Sequence, residues 1–137
     1  MFDALIYNAD RTEIAPNLFK IKNTIMIFDH EKAFNFLSQD DIDYPKDFDF
    51  RLPNNNGRFL RKHFFYPRLK TKKGENYDQF IDNLIKLDDT TIDNIFRQIP
   101  YPLSKKYSNE IIRIKEYLQF TRDNYKLFLI GVMRELT

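Results

Sequence analysis

The first third of the chain alternates between short apolar runs and polar stretches. Two apolar runs, residues 17–21 and 24–28, are separated only by Lys22 and Asn23, and this spacing predicts a β-hairpin. Ahead of the hairpin, the apolar stretch Phe2–Tyr7 predicts a short helix or turn. The N-terminal part of the chain is therefore expected to contain one small hairpin.

The middle of the chain shows weaker patterns. Residues 32–37 are expected to be helical, whereas residues 38–50 are acidic and interrupted by Pro45, which predicts irregular structure. Residues 51–74 combine a turn signal, Leu-Pro-Asn-Asn-Asn-Gly, with a basic and aromatic run. Nothing in that segment favours a regular element.

The helical spacing of apolar residues is clear from Glu75 to the end of the chain. Residues 88–91 form a capping cluster between two predicted helices, and Pro100 and Pro102 are expected to end the second of them. The last helix is predicted to begin near Ser108, as its N-cap, and to continue for about 27 residues. The apolar positions that define the three helices include Phe80, Leu84, Ile92, Phe96, Leu118 and Phe128.

These elements predict one domain over residues 1–137, mainly α with a small β-hairpin. The hydrophobic share is 42%, which is enough to form a core and excludes a disordered chain. The absence of Cys excludes disulfides and thiolate metal sites. No apolar run approaches the length of a membrane span, and no basic residue precedes the first apolar stretch. We therefore expect a cytoplasmic protein without a membrane partner.

Charge is distributed unevenly along the chain. The formal net charge is +2, yet residues 51–74 contain eight basic side chains and no acidic one. This segment is interpreted as solvated surface, as an electropositive surface for substrate phosphates, or as a nucleic-acid site in which aromatic residues stack on bases. The near-neutral total charge and the acidic flanks argue against nucleic acid. His63, within this segment, is expected to be structural or exposed.

Two carboxylates flank the predicted hairpin. Asp10 precedes it in the pattern Asn-x-Asp-Arg, and Asp29 follows it in Phe-Asp-His-Glu. Kinases use such a pair, in which one Asp orients the attacking hydroxyl and a second Asp after a strand holds Mg²⁺ on the nucleotide phosphates. In the local alternative, Asp10 caps a turn and Asp29 merely ends a strand.

The segments around these carboxylates resemble a known family. They are Phe-Asp-Ala-Leu-Ile-Tyr-Asn-Ala-Asp-Arg-Thr at residues 2–12, Pro-Asn-Leu-Phe at 16–19, and Ile-Phe-Asp-His-Glu at 27–31. Together they resemble the kinase core of small HipA-like proteins, and residues 75–137 are similar to that family's helical lobe. The resemblance implies the C-terminal lobe of a HipA-like, protein-kinase-like fold, with ATP and Mg²⁺ as cofactors when active.

The resemblance also implies roles for individual residues. Asp10 would be the catalytic base, and Arg11 would support it in catalysis. Asp29 would bind the metal, and His30 would be a supporting residue close to the nucleotide phosphates or to the loop. These residues fall in the hairpin segment 1–37, which the resemblance identifies as the catalytic loop and metal-binding part of the domain.

Two departures from the family pattern affect what the chain can do. The position of the family's metal-binding Asn is occupied by Ala15, whose methyl group cannot coordinate Mg²⁺. Asn17 lies two residues away and would replace it only if the loop shifted. Only nine residues precede Asp10, and no Gly-rich loop is present, so the chain is expected to be a C-terminal lobe without its ATP-binding lobe, incomplete or inactive alone.

Three functions therefore remain open at the level of sequence. The chain is a HipA-like Ser/Thr kinase lobe whose partner is a separate N-lobe chain or a protein substrate, a pseudokinase-like interaction module, or a weak nucleic-acid-binding protein. A missing lobe would leave apolar side chains exposed around the hairpin, such as Leu5, Phe19 or Phe28. A polar surface there would instead favour the pseudokinase.

Overall fold

The computed structural model describes residues 1–8, 10–34, 62–71 and 77–135. In this part of the chain the protein is mainly helical with one two-stranded antiparallel hairpin, as the sequence predicts. None of the helices described is long and apolar enough to cross a membrane. The elements are α1 (Phe2–Leu5), β1 (Leu18–Ile21), β2 (Thr24–Ile27), α2 (Tyr66–Thr71), α3 (Asp78–Ile85), α4 (Asp89–Arg97), α5 (Tyr101–Lys106), α6 (Ser108–Asp123) and α7 (Tyr125–Glu135).

The hairpin has the predicted position and turn. Leu18 pairs with Ile27 at its open end, and Ile21 pairs with Thr24 next to the turn. Lys22 has a φ of 54°, the left-handed conformation that two-residue hairpin turns require at their first position. The prediction of a β-hairpin from the two-residue spacing between the apolar runs is therefore confirmed.

The helical part begins as predicted but continues differently. The capping cluster is confirmed, because Asp88 accepts a hydrogen bond of 2.7 Å from the backbone N–H of Thr91 at the start of α4. Hydrogen bonds from the side chain and the backbone N–H of Thr91 lower the pKa of Asp88. After α4 ends, Pro102 lies in the first turn of α5, a helix that the sequence pattern did not predict. Proline without its N–H disrupts a helix interior but is tolerated in a first turn.

The prediction of a single last helix is wrong. The helix ends at Asp123 and a second one begins at Tyr125, with Asn124 between them at φ −114° and ψ 30°. The Asn124 side chain donates to the carbonyl of Phe120 at 2.9 Å, and such local bonding competes with helical geometry. Ser108 is the first residue of α6 and caps nothing, since Tyr107 occupies the N-cap without a side-chain hydrogen bond.

Two further expectations concern the middle of the chain. Of the helix predicted over residues 32–37, only 32–34 are described, and they lie in a turn. Residues 38–50 and most of the basic segment 51–74 lie outside the described residues. Within that segment α2 is helical, although the sequence favoured no regular element there.

The core joins the short helix α1 to the later helices. Tyr117 of α6 connects the two parts. It is 1% exposed, and its hydroxyl donates a hydrogen bond to the carbonyl of Leu5 at 2.7 Å. That carbonyl belongs to the last residue of α1, where helix carbonyls have no partner within the helix. The buried apolar cluster consists of Ala4, Leu5, Leu84, Tyr117, Phe128 and Val132. The later helices thereby hold α1 in place through Ala4 and Leu5. The third buried residue of α1 is Asp3.

Candidate functional site

Asp3 is a buried carboxylate at the centre of the candidate site. It lies in α1 between apolar neighbours and is 7% exposed. Arg11 pairs with it through two hydrogen bonds, from Nε to Oδ2 at 2.7 Å and from Nη2 to Oδ1 at 3.2 Å. Arg11 is itself fully buried. The planar guanidinium fork matches the carboxylate geometry, so the pair is both a strong and a directional contact.

Asn8 connects this ion pair to the backbone of Asp10. Its amide Nδ2 donates to Asp3 Oδ1 at 3.3 Å, and its Oδ1 accepts from the backbone N–H of Asp10 at 3.4 Å. Asn8 is fully buried, whereas Asp10 is half-buried. The Asn-x-Asp-Arg motif therefore directs Asn8 and Arg11 inward and leaves the intervening Asp10 accessible.

His63 completes the cluster from a distant part of the sequence. Its Nε2 lies 3.0 Å from Asp3 Oδ2, and its Nδ1 accepts from the backbone N–H of Phe65 at 3.2 Å. Because Nδ1 is an acceptor, the proton of the neutral ring resides on Nε2 and is donated to Asp3. The backbone of Phe64 also donates to the carbonyl of Arg11 at 2.8 Å. Residues 63 and 64 therefore brace the Asp10 loop from one side.

Two of these partners, His63 and Arg11, set the protonation of Asp3 against the effect of burial. Burial alone would raise the pKa of this carboxyl, but the hydrogen bonds from His63 and Arg11 and the guanidinium charge outweigh it. The net result is a pKa held well below the ordinary range. Asp3 is therefore ionised at neutral pH and neutralises the buried Arg11.

Arg11 also ties the Asp10 loop to the base of the hairpin. Its Nη1 donates to the carbonyl of Pro16 at 3.2 Å and to the carbonyl of Asn17. Its Nη2 lies 3.3 Å from Nε2 of His30. Since a guanidinium only donates, His30 accepts through Nε2, and the second ring nitrogen carries the proton in the neutral ring.

Asn17 and Asp29 meet where the two strands begin and end. The Asn17 amide Nδ2 lies 3.5 Å from Asp29 Oδ2. Both residues have positive φ, 45° and 57°, a conformation that Asn and Asp tolerate better than most residues. Asp29 is exposed and Asn17 is half-buried. The hairpin base thus presents one amide and one carboxylate side by side at the surface.

One carboxylate and one amide could contribute to a magnesium site only if a bound ligand shared the ion. Mg²⁺ prefers oxygen donors and is usually held by one or two carboxylates together with substrate phosphates and water. Turning the Asn17 amide would direct its Oδ1 beside the Asp29 carboxylate. In the part of the chain that the structure describes, no group of three or more His, Asp or Glu side chains forms a self-sufficient metal cage. A metal here would therefore rely on ligand phosphates.

The predicted site residues thus divide into two groups. Asp10, Asn17 and Asp29 are accessible and lie on two segments that Arg11 connects. Arg11 is buried and His30 half-buried against it, so both hold the segments together rather than pointing freely to solvent.

Sequence reasoning missed the other members of the cluster, Asp3 and His63. A carboxylate inside the apolar stretch 2–7 was a usable signal for Asp3, because a buried Asp needs partners. Nothing near His63 marks it, since its partner lies 60 residues away. Comparisons of the chain with protein-family models, with curated proteins and with solved structures gave no match.

Proposed function

We propose that this chain is the C-terminal lobe of a HipA-like Ser/Thr protein kinase, a fold that transfers a phosphoryl group from ATP to a protein hydroxyl, and that this lobe is incomplete or inactive alone. The observation that carries the proposal is the set of contacts made by Arg11. Its guanidinium bonds the Asn17 carbonyl and lies against His30, next to Asp29 in sequence. The loop with Asp10 and the hairpin base are therefore one hydrogen-bonded unit.

In this proposal the accessible side chains have separate roles. Asp10 orients the attacking hydroxyl and accepts its proton, which requires an accessible carboxylate on a rigid loop. Asn17 and Asp29 would hold Mg²⁺, which when bound neutralises charge on the nucleotide phosphates. Arg11 is a positioning residue, because its guanidinium donates its hydrogen bonds to Asp3 and to the loop carbonyls.

The exposure of the hairpin supports a lobe that another structure covers. Phe19 is 62% exposed and Phe28 is 40% exposed, as expected if a nucleotide-binding lobe packs there. Leu5 does not share this exposure, because it is buried in the helical core. Two of the three side chains proposed as indicators thus favour the kinase lobe over a pseudokinase with a polar surface.

A pseudokinase-like interaction module is the second candidate, and Ala15 favours it. Ala15 is exposed, and its backbone N–H donates to Thr12 Oγ1 at 3.2 Å, so this part of the loop is closed by a local turn. The methyl group offers nothing to a metal. In that case the scaffold would persist without nucleotide binding.

Loss of the Asp29 carboxylate is expected to weaken metal-dependent nucleotide binding. We expect the purified chain to bind a non-hydrolysable ATP analogue with Mg²⁺ or Mn²⁺, and Asp29→Asn to weaken this binding about tenfold or more, because one anionic ligand is removed. Isothermal titration calorimetry measures both affinities. Glu31→Gln is the matched control, since Glu31 is exposed, two residues away, and pairs only with Lys32 at 3.5 Å among the described residues. Equal loss in both variants, or no binding at millimolar nucleotide, would contradict the proposal.

Restoring the missing amide is expected to strengthen the same binding. Ala15→Asn would place an oxygen donor where the family pattern has its metal-binding Asn, and the exposed position accommodates the larger side chain. We expect the affinity for Mg²⁺ with the ATP analogue to rise about tenfold in calorimetry. Glu13→Asn places the same side chain on a neighbouring exposed position and serves as the control. An unchanged affinity in Ala15→Asn would favour the pseudokinase.

A further inference from the structure

The short helix α5 is exposed on almost every side. None of its six residues is buried, and Ser104 alone is half-buried. Two residues span a little more than half a helical turn, so Pro102 and Lys106 lie on the side opposite Ser104. Tyr101 is 72% exposed and Leu103 is 48% exposed on the flanks between. A protein partner that covers one face would leave the others in water, whereas a fluid surface can surround such an element.

The side chains of α5 change character along its axis. The first half consists of Tyr101, Pro102 and Leu103, which are aromatic or apolar, and the second half ends in Lys105 and Lys106. Four residues advance a helix by about 6 Å, which is the distance between the two zones along the axis. Helices that bind a membrane interface bury their apolar part about 5–10 Å into the boundary of headgroups and acyl chains, and their lysines reach back to the headgroups. The order and spacing of the side chains in α5 match this arrangement.

The backbone at the apolar end of α5 has few unpaired donors. Pro100 and Pro102 have no N–H. The N–H groups of Leu103 and Ser104 both donate to the carbonyl of Pro100, at 2.9 and 3.0 Å. Within the described residues, the N–H of Tyr101 is the one backbone donor of this turn without a hydrogen bond. This favours contact with lipid, because an unpaired backbone group is costly to transfer out of water.

The charged side chains around α5 have one sign. Between Asp93 and Glu110 the chain contains no acidic residue and three exposed cationic ones: Arg97, Lys105 and Lys106. The Nζ atom of Lys106 lies 4.8 Å from the centre of the Tyr107 ring, which places a cation beside a ring that is 42% exposed. The carboxylate of Asp93 is paired with Lys115 at 2.7 Å. The surface of α5 therefore attracts anions.

We propose that α5 is a membrane-contact element that enters the headgroup layer of an anionic lipid surface. Its apolar end would reach the acyl-chain boundary, and its two lysines with Arg97 would pair with lipid phosphates. A lipid surface is favoured over an acidic protein because α5 is exposed around most of its circumference and its apolar end has an almost fully bonded backbone. The sequence expectation of no membrane partner rests on the lack of a spanning segment, which an interfacial contact does not need. This contact does not depend on the kinase proposal.

Vesicles of defined composition test the contact. The full chain is mixed with vesicles of phosphatidylcholine alone or with an equal share of phosphatidylglycerol, and co-sedimentation measures the bound fraction. We expect at least about tenfold tighter binding to the anionic vesicles, because each basic side chain near such a surface strengthens binding about fivefold. Lys105→Gln is expected to weaken this binding about fivefold. Lys86→Gln is the control, since Lys86 is exposed outside α5 and its loss lowers the net charge equally, and it is expected to change binding less than about twofold.

A matched pair of leucines tests the apolar end. Leu103→Ser is expected to weaken binding to the anionic vesicles about fivefold, because it removes apolar surface that the lipid would cover. Leu127→Ser is the control, since Leu127 lies on α7 and has a similar exposure of 53%, and it is expected to leave binding unchanged. The chain contains no Trp, so Tyr101→Trp adds a single fluorescent reporter. Its emission is expected to shift to shorter wavelength when the anionic vesicles are added.

Four results would overturn the proposal. One is equal binding to the two kinds of vesicle, which the unaltered chain alone can show. Another is binding that neither Lys105→Gln nor Leu103→Ser weakens more than its control does. A third is sedimentation with the vesicles while the emission of the Tyr101→Trp reporter stays unchanged, which would place the contact elsewhere on the chain. The last is an equal emission shift with soluble polyglutamate, which would assign α5 to an acidic protein partner.

Discussion

Replacing Asp3 by Asn is expected to lower the free energy of unfolding by about 3–5 kcal/mol, because it leaves the buried Arg11 without its counter-charge. Arg11 is fully buried, and Asp3 is its only carboxylate partner among the described residues. The amide keeps the shape of the side chain but cannot accept both guanidinium bonds or neutralise the charge. The same change removes an acceptor from His63.

Urea unfolding followed by circular dichroism measures this loss. Asp89→Asn is the matched control, because Asp89 also pairs with an arginine, at 2.7 Å from Arg122, but its side chain is 66% exposed. Exposed pairs contribute little, so the control is expected to change stability by less than about 1 kcal/mol. Similar losses of unfolding free energy in the two variants would show that the buried pair stabilises the fold no more than the exposed pair does.

The pH dependence of stability provides an independent readout of the same carboxyl. The pKa of Asp3 in the folded state lies below its unfolded value, so the folded state binds fewer protons in acid. The stability contributed by Asp3 is therefore complete above the unfolded pKa of about 4 and is lost as the pH falls toward the folded pKa. The difference in unfolding free energy between the wild type and Asp3→Asn is expected to shrink below pH 4.

The hairpin and the first cap were predictable because their causes are local. A two-residue spacing between apolar runs fixes the turn, and Asp88 bonds an N–H three residues away. The break at Asn124 was missed although its cause is also local. Apolar spacing continues across it, so periodicity alone gave no sign of the break, where the Asn124 side chain bonds the carbonyl of Phe120.

The candidate site was predictable only where it follows one segment of chain. Motifs within the first 34 residues nominate Asp10, Arg11, Asn17, Asp29 and His30, and the roles given to them stay predictions. Their motif did not indicate that Arg11 turns inward, because its direction is set by the carboxylate of Asp3 in α1. Contacts between distant segments depend on how the helices position α1, and local pattern contains no information about that.

That positioning depends chiefly on Tyr117, and replacing it by Ala is expected to lower the free energy of unfolding by about 4 kcal/mol. The substitution removes a ring that is 1% exposed and packs edge-on against Phe34. It also removes the hydroxyl that donates to the Leu5 carbonyl, leaving that group unsatisfied at the end of α1. Urea unfolding followed by circular dichroism measures the loss.

Two companion variants separate the contributions of ring and hydroxyl. Tyr117→Phe keeps the ring and is expected to cost about 1–2 kcal/mol, the penalty for one buried unpaired carbonyl. Tyr101→Ala is the surface control, since Tyr101 is 72% exposed, and it is expected to change stability by about 0.5 kcal/mol or less. A loss for Tyr117→Ala no larger than for Tyr101→Ala would mean that α1 does not depend on this contact. Because Asp3 lies in α1, the buried ion pair and the hairpin base that it supports would then need another anchor.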